Sequence, residues 1–154
     1  MLIRGEFDGV KELFQSRGLA TEIDAMLEEL HQGWLGGMKG TRFQKQVLCK
    51  YGWDCEQRIG IEKRLYAYDG LKQRIAIEIE WTQSERVLAD MLKLQFGLIE
   101  GRIDAGVIVS QASNAPRSPI PRNQCGGIKE IQAMRSIITI PIYVAVFAHQ
   151  GAEK

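Results

Sequence analysis

The stretch Tyr68–Trp81, YDGLKQRIAIEIEW, decides how the rest of the chain is read. From Arg74 onward Ile75, Ile77, Ile79 and Trp81 alternate with Ala76, Glu78 and Glu80. Successive side chains of a strand point to opposite faces. One face is therefore apolar and built for a core, and the other carries two carboxylates. Leu65–Leu71 reads as a partner strand, with Lys72–Gln73 as the tight turn between them. That turn sets Asp69 opposite Ala76, on the face of Glu78 and Glu80, with Glu78 on a diagonal at about 7–8 Å between backbones. Carboxylates this close repel one another and raise each other's pKa, and a divalent cation relieves the repulsion. Magnesium prefers such oxygen ligands and keeps several waters. A bound water then has a lowered pKa and can attack phosphorus. Lys72 and Arg74 flank the acids and could reach phosphate oxygens. Glu-x-Glu alone describes many solvated strands; Asp69 at the matching offset makes this one a candidate site.

Working outward, Ser84 is a candidate N-cap for a long helix in which Val87, Leu88, Met91, Leu92, Leu94 and Phe96 form a broad apolar surface. Gly101 ends it. Asp104–Ser110 follows as a mostly apolar strand. Gln111–Gly127 is a long polar loop with three prolines. Ile128–Met134 suggests a short helix and Ile137–Phe147 a buried final strand. Upstream, the first third reads as helical. Thr21–Trp34 places Ile23, Met26, Leu27 and Leu30 on one stripe, with Thr21 as the cap. GWLGGMKG (33–40) breaks that helix, Thr41–Tyr51 forms another, and Trp53–Ile61 is extended. Helices alternating with strands after a hairpin predict an α/β fold, a central mixed β-sheet flanked by helices. The expected organisation is a single domain over 1–154, with a helical part to about 51 and an α/β core over about 52–150.

Composition limits the function classes. The chain has 154 residues, 45% hydrophobic and 25% charged, which suits one globular core. Its net charge is +1, so a nucleic-acid surface would have to come from local clustering of Lys and Arg. No apolar run is long enough for a transmembrane helix, and the first ten residues lack the apolar stretch of a signal peptide. Cys49, Cys55 and Cys125 are odd in number and have no C-x-x-C pair, so a reduced cytoplasmic compartment is expected and a structural zinc is not.

The order Asp, hairpin, acid-x-acid resembles the PD-(D/E)xK nuclease pattern, and more of the chain resembles the BglII and BamHI group of type II restriction endonucleases. GGMKGTRFQKQVLCKYGWDCE (36–56) is similar to the helix and turn before that group's core. LKQRIAIEIEWTQSERVLADMLKLQFGLIEGRIDAGVIV (71–109) is similar to its catalytic hairpin, helix and next strand. IKEIQAMRSIITIPIYVAVF (128–147) is similar to its closing helix and strand. The resemblance implies a restriction-endonuclease-like fold and a homodimer that uses Mg2+, with Mn2+ able to substitute, to cut both strands of a short palindrome in double-stranded DNA. It implies Asp69 and Glu78 as metal-binding acids and Glu80 as the third catalytic position. Most of the superfamily carries Lys there, BamHI carries Glu and BglII carries Gln. A carboxylate cannot stabilise phosphate charge as Lys does, so Glu80 would bind metal or act on water. The chain is shorter than those enzymes before Asp69, where a further acid completes their site. Glu56 and Glu62 are the substitutes to consider.

For DNA contacts the best segment is SNAPRSPIPRNQCGG (113–127), with Asn114, Arg117, Arg122, Asn123 and Gln124. Arg suits guanine, and Asn and Gln suit adenine. A loop of this length in a compact domain is commonly functional. Lys39, Arg42 and Lys45 near the glycine-rich turn are candidates for phosphate. The helix from Ser84, apolar on more than one side, is either core or dimer interface, and a two-fold dimer suits a palindromic site. Two other functions stay open: a structure-specific repair or recombination nuclease of the same fold, and a DNA-binding module that has lost cleavage.

Overall fold

The alternation of Ile75–Glu80 does form a strand, and the strand lies within a mixed sheet covered by helices on both faces. The computed structural model describes residues 1–38, 40–55, 58–61, 64–81, 84–112 and 128–148. In chain order its elements begin with β1 (Leu2–Phe7), α1 (Val10–Ser16), α2 (Ala20–Leu35) and α3 (Thr41–Lys50). Next come β2 (Arg58–Ile61), β3 (Arg64–Ala67), β4 (Gly70–Lys72) and β5 (Ile75–Glu80). The chain continues through α4 (Ser84–Ile99), β6 (Ala105–Gln111), α5 (Ile128–Ala133) and β7 (Ile142–Phe147). Among the described residues β1, β7, β6, β5 and β4 form one sheet in that order, and β2 pairs with β3 separately. The inner strands β5, β6 and β7 run parallel, and β1 and β4 close the edges antiparallel.

The two faces sort by residue parity. Ile75, Ile77 and Ile79 of β5 join Val107, Val109, Tyr143 and Phe147 in a core with Phe14, Ile23, Leu27, Leu30 and Leu48 of α1–α3. Ala76 joins Ile108, Val144 and Val146 in a second core with Val87, Met91 and Leu94 of α4 and Ile131 of α5. Helix α4 is locked to the entrance of β7 by the buried Gln95, whose side-chain oxygen accepts from Thr139 N at 2.8 Å and Ile140 N at 3.0 Å.

The structure corrects several sequence expectations. Leu2–Phe7, expected in a helical part, is an edge strand paired with β7. Its Gly5 has no side chain because a Cβ would lie 2.9 Å from Ile128 of α5. Thr21 is not a cap: α2 starts at Ala20 after Leu19, with no side-chain cap hydrogen bond. Helix α4 includes Ser84 instead of being capped by it. The last strand starts at Ile142, since Pro141 has no N–H for the ladder. The expected strand Leu65–Leu71 is two strands, interrupted at Tyr68–Asp69.

The largest correction concerns the hairpin. Gly70 faces Ile77, Leu71 faces Ala76 and Lys72 faces Ile75, so the turn is Gln73–Arg74 and not Lys72–Gln73. Both turn residues have positive φ, 45° and 64°, as a two-residue type I′ turn demands. Neither is Gly or Asn, so the turn is held from outside. Asp104 accepts from Arg74 Nε at 2.9 Å and Nη2 at 2.7 Å, and from Arg17 Nη2 at 2.5 Å. Arg17 also donates to the carbonyl of Gln73. These hydrogen bonds, led by Arg74, hold the Asp104 carboxyl well below the usual carboxylate range.

A folded-state pKa below the unfolded one adds stability at neutral pH that is lost as pH falls below about 4. Asp104→Asn is therefore expected to lower stability at pH 7 by about 1–2 kcal/mol in urea denaturation. The gap to wild type should begin to narrow as pH falls below about 4; a gap independent of pH would refute the role given to Asp104.

Candidate active site

The corrected register sharpens the site. Carried one pair beyond Gly70, it sets Asp69 opposite Glu78 rather than on a diagonal. The shift is by two residues, so the face is unchanged. Asp69 stands where β4 breaks off, and its Oδ2 accepts the Ile79 N–H at 2.7 Å. The carboxylate thus takes the place of a backbone carbonyl in the ladder, which fixes it beside β5.

Glu78 lies in the middle of this face and is 4% exposed. Its Oε1 is 2.7 Å from Lys93 Nζ of α4. Lys93 is also 3.5 Å from Asp90 Oδ1 and donates to the Ala67 carbonyl at 3.1 Å. Glu80 closes β5 half-buried, at the level of Ser110 on β6. The acids lie toward the carboxyl end of a parallel strand, the position where open α/β sheets place their ligands.

The electrostatics follow from burial. Burial pushes the Glu78 carboxyl up to about 8; Lys93 opposes the rise, and Asp90 and Asp69 add to it. Burial raises Asp69 as well, against the Ile79 hydrogen bond and Lys93, with Glu80 adding to the rise. Asp90 is raised by burial, and Asp69 and Glu80 contribute. Four acids and one lysine therefore share one electrostatic environment. Clustered perturbed carboxyls of this kind mark candidate functional sites.

The expected ring of three acids is not closed. Among the described residues no three His, Cys, Asp or Glu side chains gather in a metal-holding group. The Glu78 carboxylate is instead turned to the Lys93 ammonium. The donor set still fits a hard divalent cation in kind, since oxygen ligands are what magnesium takes. The place next to Glu78 is already suited to positive charge, because Lys93 stands there.

Lys72 and Arg74, expected to reach phosphate, are committed elsewhere. Lys72 Nζ lies 2.7 Å from Glu22 and 2.6 Å from the Tyr51 carbonyl, and Arg74 serves the turn. Lys45 does approach the site: it lines, with Gln44, Cys55, Tyr68 and Asp69, a cleft of about 170 Å³. Arg42 is exposed on the same helix. Lys39, Glu56, Glu62, Asn114, Arg117, Arg122, Asn123 and Gln124 lie outside the described residues. Asp90 and Lys93 were not picked out from the sequence. Their only signal is an i, i+3 acid–base pair on a helix, which usually marks a solvated face.

A model of the restriction endonuclease BglII/BglIII family matches residues 16–146. The chain belongs to this family. Its fold is that of restriction endonuclease BglII: a crystal structure of BglII complexed with a DNA 16-mer aligns at TM-score 0.70 and 11% identity, covering 97% of this chain and 77% of that one. A crystal structure of free BglII aligns at TM-score 0.63 and 14% identity, covering 97% and 80%. No curated protein matches the chain. The α/β fold with a mixed sheet and flanking helices, expected from the sequence, is thus borne out. No helix among the described residues is long and apolar enough to cross a membrane.

A raised carboxyl pKa carries the opposite sign to that of Asp104. The folded protein holds the Glu78 proton more tightly than the unfolded chain, so stability falls as pH rises from about 4.5 toward 8. Glu78→Gln keeps the neutral shape. In metal-free buffer its melting temperature should gain on that of wild type between about pH 5 and pH 8. A constant difference would contradict the buried, perturbed carboxyl.

Proposed function

We propose that this member of the BglII/BglIII family is a Mg2+-dependent type II restriction endonuclease that hydrolyses phosphodiester bonds at a short palindromic site in double-stranded DNA. The observation that carries the reading is the hydrogen bond that holds the Asp69 carboxylate on the Ile79 N–H of β5, between Glu78 and Glu80 in sequence. Family membership supports endonuclease chemistry, and the fold match includes BglII with DNA bound.

In this reading Asp69 and Glu78 hold the divalent ion, with Mn2+ able to replace Mg2+. The bound ion lowers the pKa of water and offsets charge on the phosphate. The Ile79 N–H keeps Asp69 from rotating away. Glu80, at the open end of β5, positions the attacking water or accepts its proton. Lys45, at the rim of the cleft beside Asp69, attracts the DNA backbone. Lys39 and the 113–127 segment, through Asn114, Arg117, Arg122, Asn123 and Gln124, provide further DNA contacts and the base readout.

The enzyme acts as one domain and as a homodimer in the cytoplasm. Leu88, Leu92 and Ile99, 38%, 48% and 72% exposed, lie along one side of α4 and support a dimer face there. A two-fold pair of sites matches two strands of a palindrome.

The test is cleavage of plasmid DNA in Mg2+, followed by sequencing of the ends. Wild type should give fragments with one common palindromic end, and a chelator should stop the reaction. Asp69→Asn and Glu78→Gln should each cut about 100-fold more slowly or worse. Variants that cut at the wild-type rate would remove these acids from the mechanism. Cutting confined to branched DNA would replace the restriction reading with a structure-specific nuclease.

A further inference from the structure

Lys93 is placed on a partner that the reading above reserves for a metal ion. Its ammonium lies 2.7 Å from Glu78 Oε1. The same group donates to the Ala67 carbonyl at 3.1 Å and lies 3.5 Å from Asp90 Oδ1 and 6.0 Å from the centre of the Tyr68 ring. The lysine side chain is 17% exposed and that of Glu78 is 5% exposed. A carboxylate buried to this degree without a partner is costly, and Lys93 supplies the partner within the chain.

A second cation brought to that carboxylate is repelled by the ammonium already there. We propose that Lys93 is a built-in stand-in for the divalent cation: its ammonium occupies Glu78 in the metal-free protein and is displaced when the ion binds. The proposal rests on the reading of Asp69 and Glu78 as metal ligands. Lysine suits the task because its charge sits on a flexible four-carbon stem. The displaced ammonium keeps two nearby partners, the Asp90 carboxylate one turn back on α4 and the Ala67 carbonyl. Helix α4 therefore does more than cover the sheet: it keeps a closely packed carboxylate group neutralised until metal arrives, and it sets a threshold on metal affinity.

The test is Mn2+ binding to the protein alone, with free Mn2+ read by its electron paramagnetic resonance signal. Removing Lys93 also strengthens the hold of Glu78 on its proton, so affinities are compared on the high-pH plateau of a titration from about pH 7 to about pH 9.5. Lys93→Met should bind Mn2+ about tenfold more tightly than wild type, or better, because a charge partner at this distance is worth about 1–3 pKa units. Lys93→Arg, which keeps the positive charge, should stay near wild type. If Lys93→Met does not fold, Lys93→Gln, neutral but still able to donate, carries the same expectation. Affinity in the neutral variants equal to or weaker than wild type would overturn the proposal. Cleavage by Asp69→Asn and Glu78→Gln separates the two levels. If those variants are inactive and the neutral Lys93 variants gain no affinity, only the role of Lys93 falls. If they cut normally, the site reading falls and takes this proposal with it.

Discussion

Asp104, at the start of β6, is gripped by Arg74 from the β4–β5 turn and by Arg17 from the end of α1. The turn itself holds two non-glycine residues at positive φ, a conformation such residues adopt uncommonly. What keeps it there is this three-way ion cluster together with the Arg17 contact to the Gln73 carbonyl. The consequence reaches the far end of the hairpin. Moving the turn by one residue moves every cross-strand pair by two, and so brings Asp69 level with Glu78. An ion cluster at one end of β5 thus sets the spacing of the acids at the other.

The acids are costly to keep. Glu78 points into the layer between β5 and α4, where Met91 and Leu94 pack against Ala76. An apolar residue there would suit the core better, as buried ion pairs are often no more stabilising than hydrophobic replacements. A buried carboxyl that a stable fold does not need is a mark of function. Asp69 shows the same character. It interrupts a strand and uses its carboxylate to satisfy the Ile79 N–H, a task that backbone could have done.

Much of this was legible in the sequence, for a physical reason. Period-two alternation fixes which side chains share a face, and a two-residue register shift leaves that parity intact. Asp69, Glu78 and Glu80 therefore fall on one face in either register, although among the described residues their side chains do not close into a metal-holding group. The turn was not readable, because Gln73 and Arg74 carry none of the usual turn chemistry and are held by residues far away in sequence. Strand β1 was hidden for a related reason: it is half-buried, contains Gly5 and owes its pairing to β7 at the other end of the chain. Lys93 and Asp90 were missed because no strand–helix register can be read from one sequence. Only packing of α4 on the sheet, with Gly106 leaving room for Leu94, brings the lysine to Glu78. The proposed base-reading residues of segment 113–127 lie outside the described residues and rest on composition alone.

The proposed function stands on a divalent cation held by Asp69 and Glu78 between β4 and β5. It is tested most directly by the anomalous scattering of Mn2+ in crystals of the protein. The expected result is an anomalous peak coordinated by Asp69 and Glu78, with the Lys93 ammonium moved off Glu78. A peak at other residues, with the Glu78–Lys93 contact intact, would contradict it.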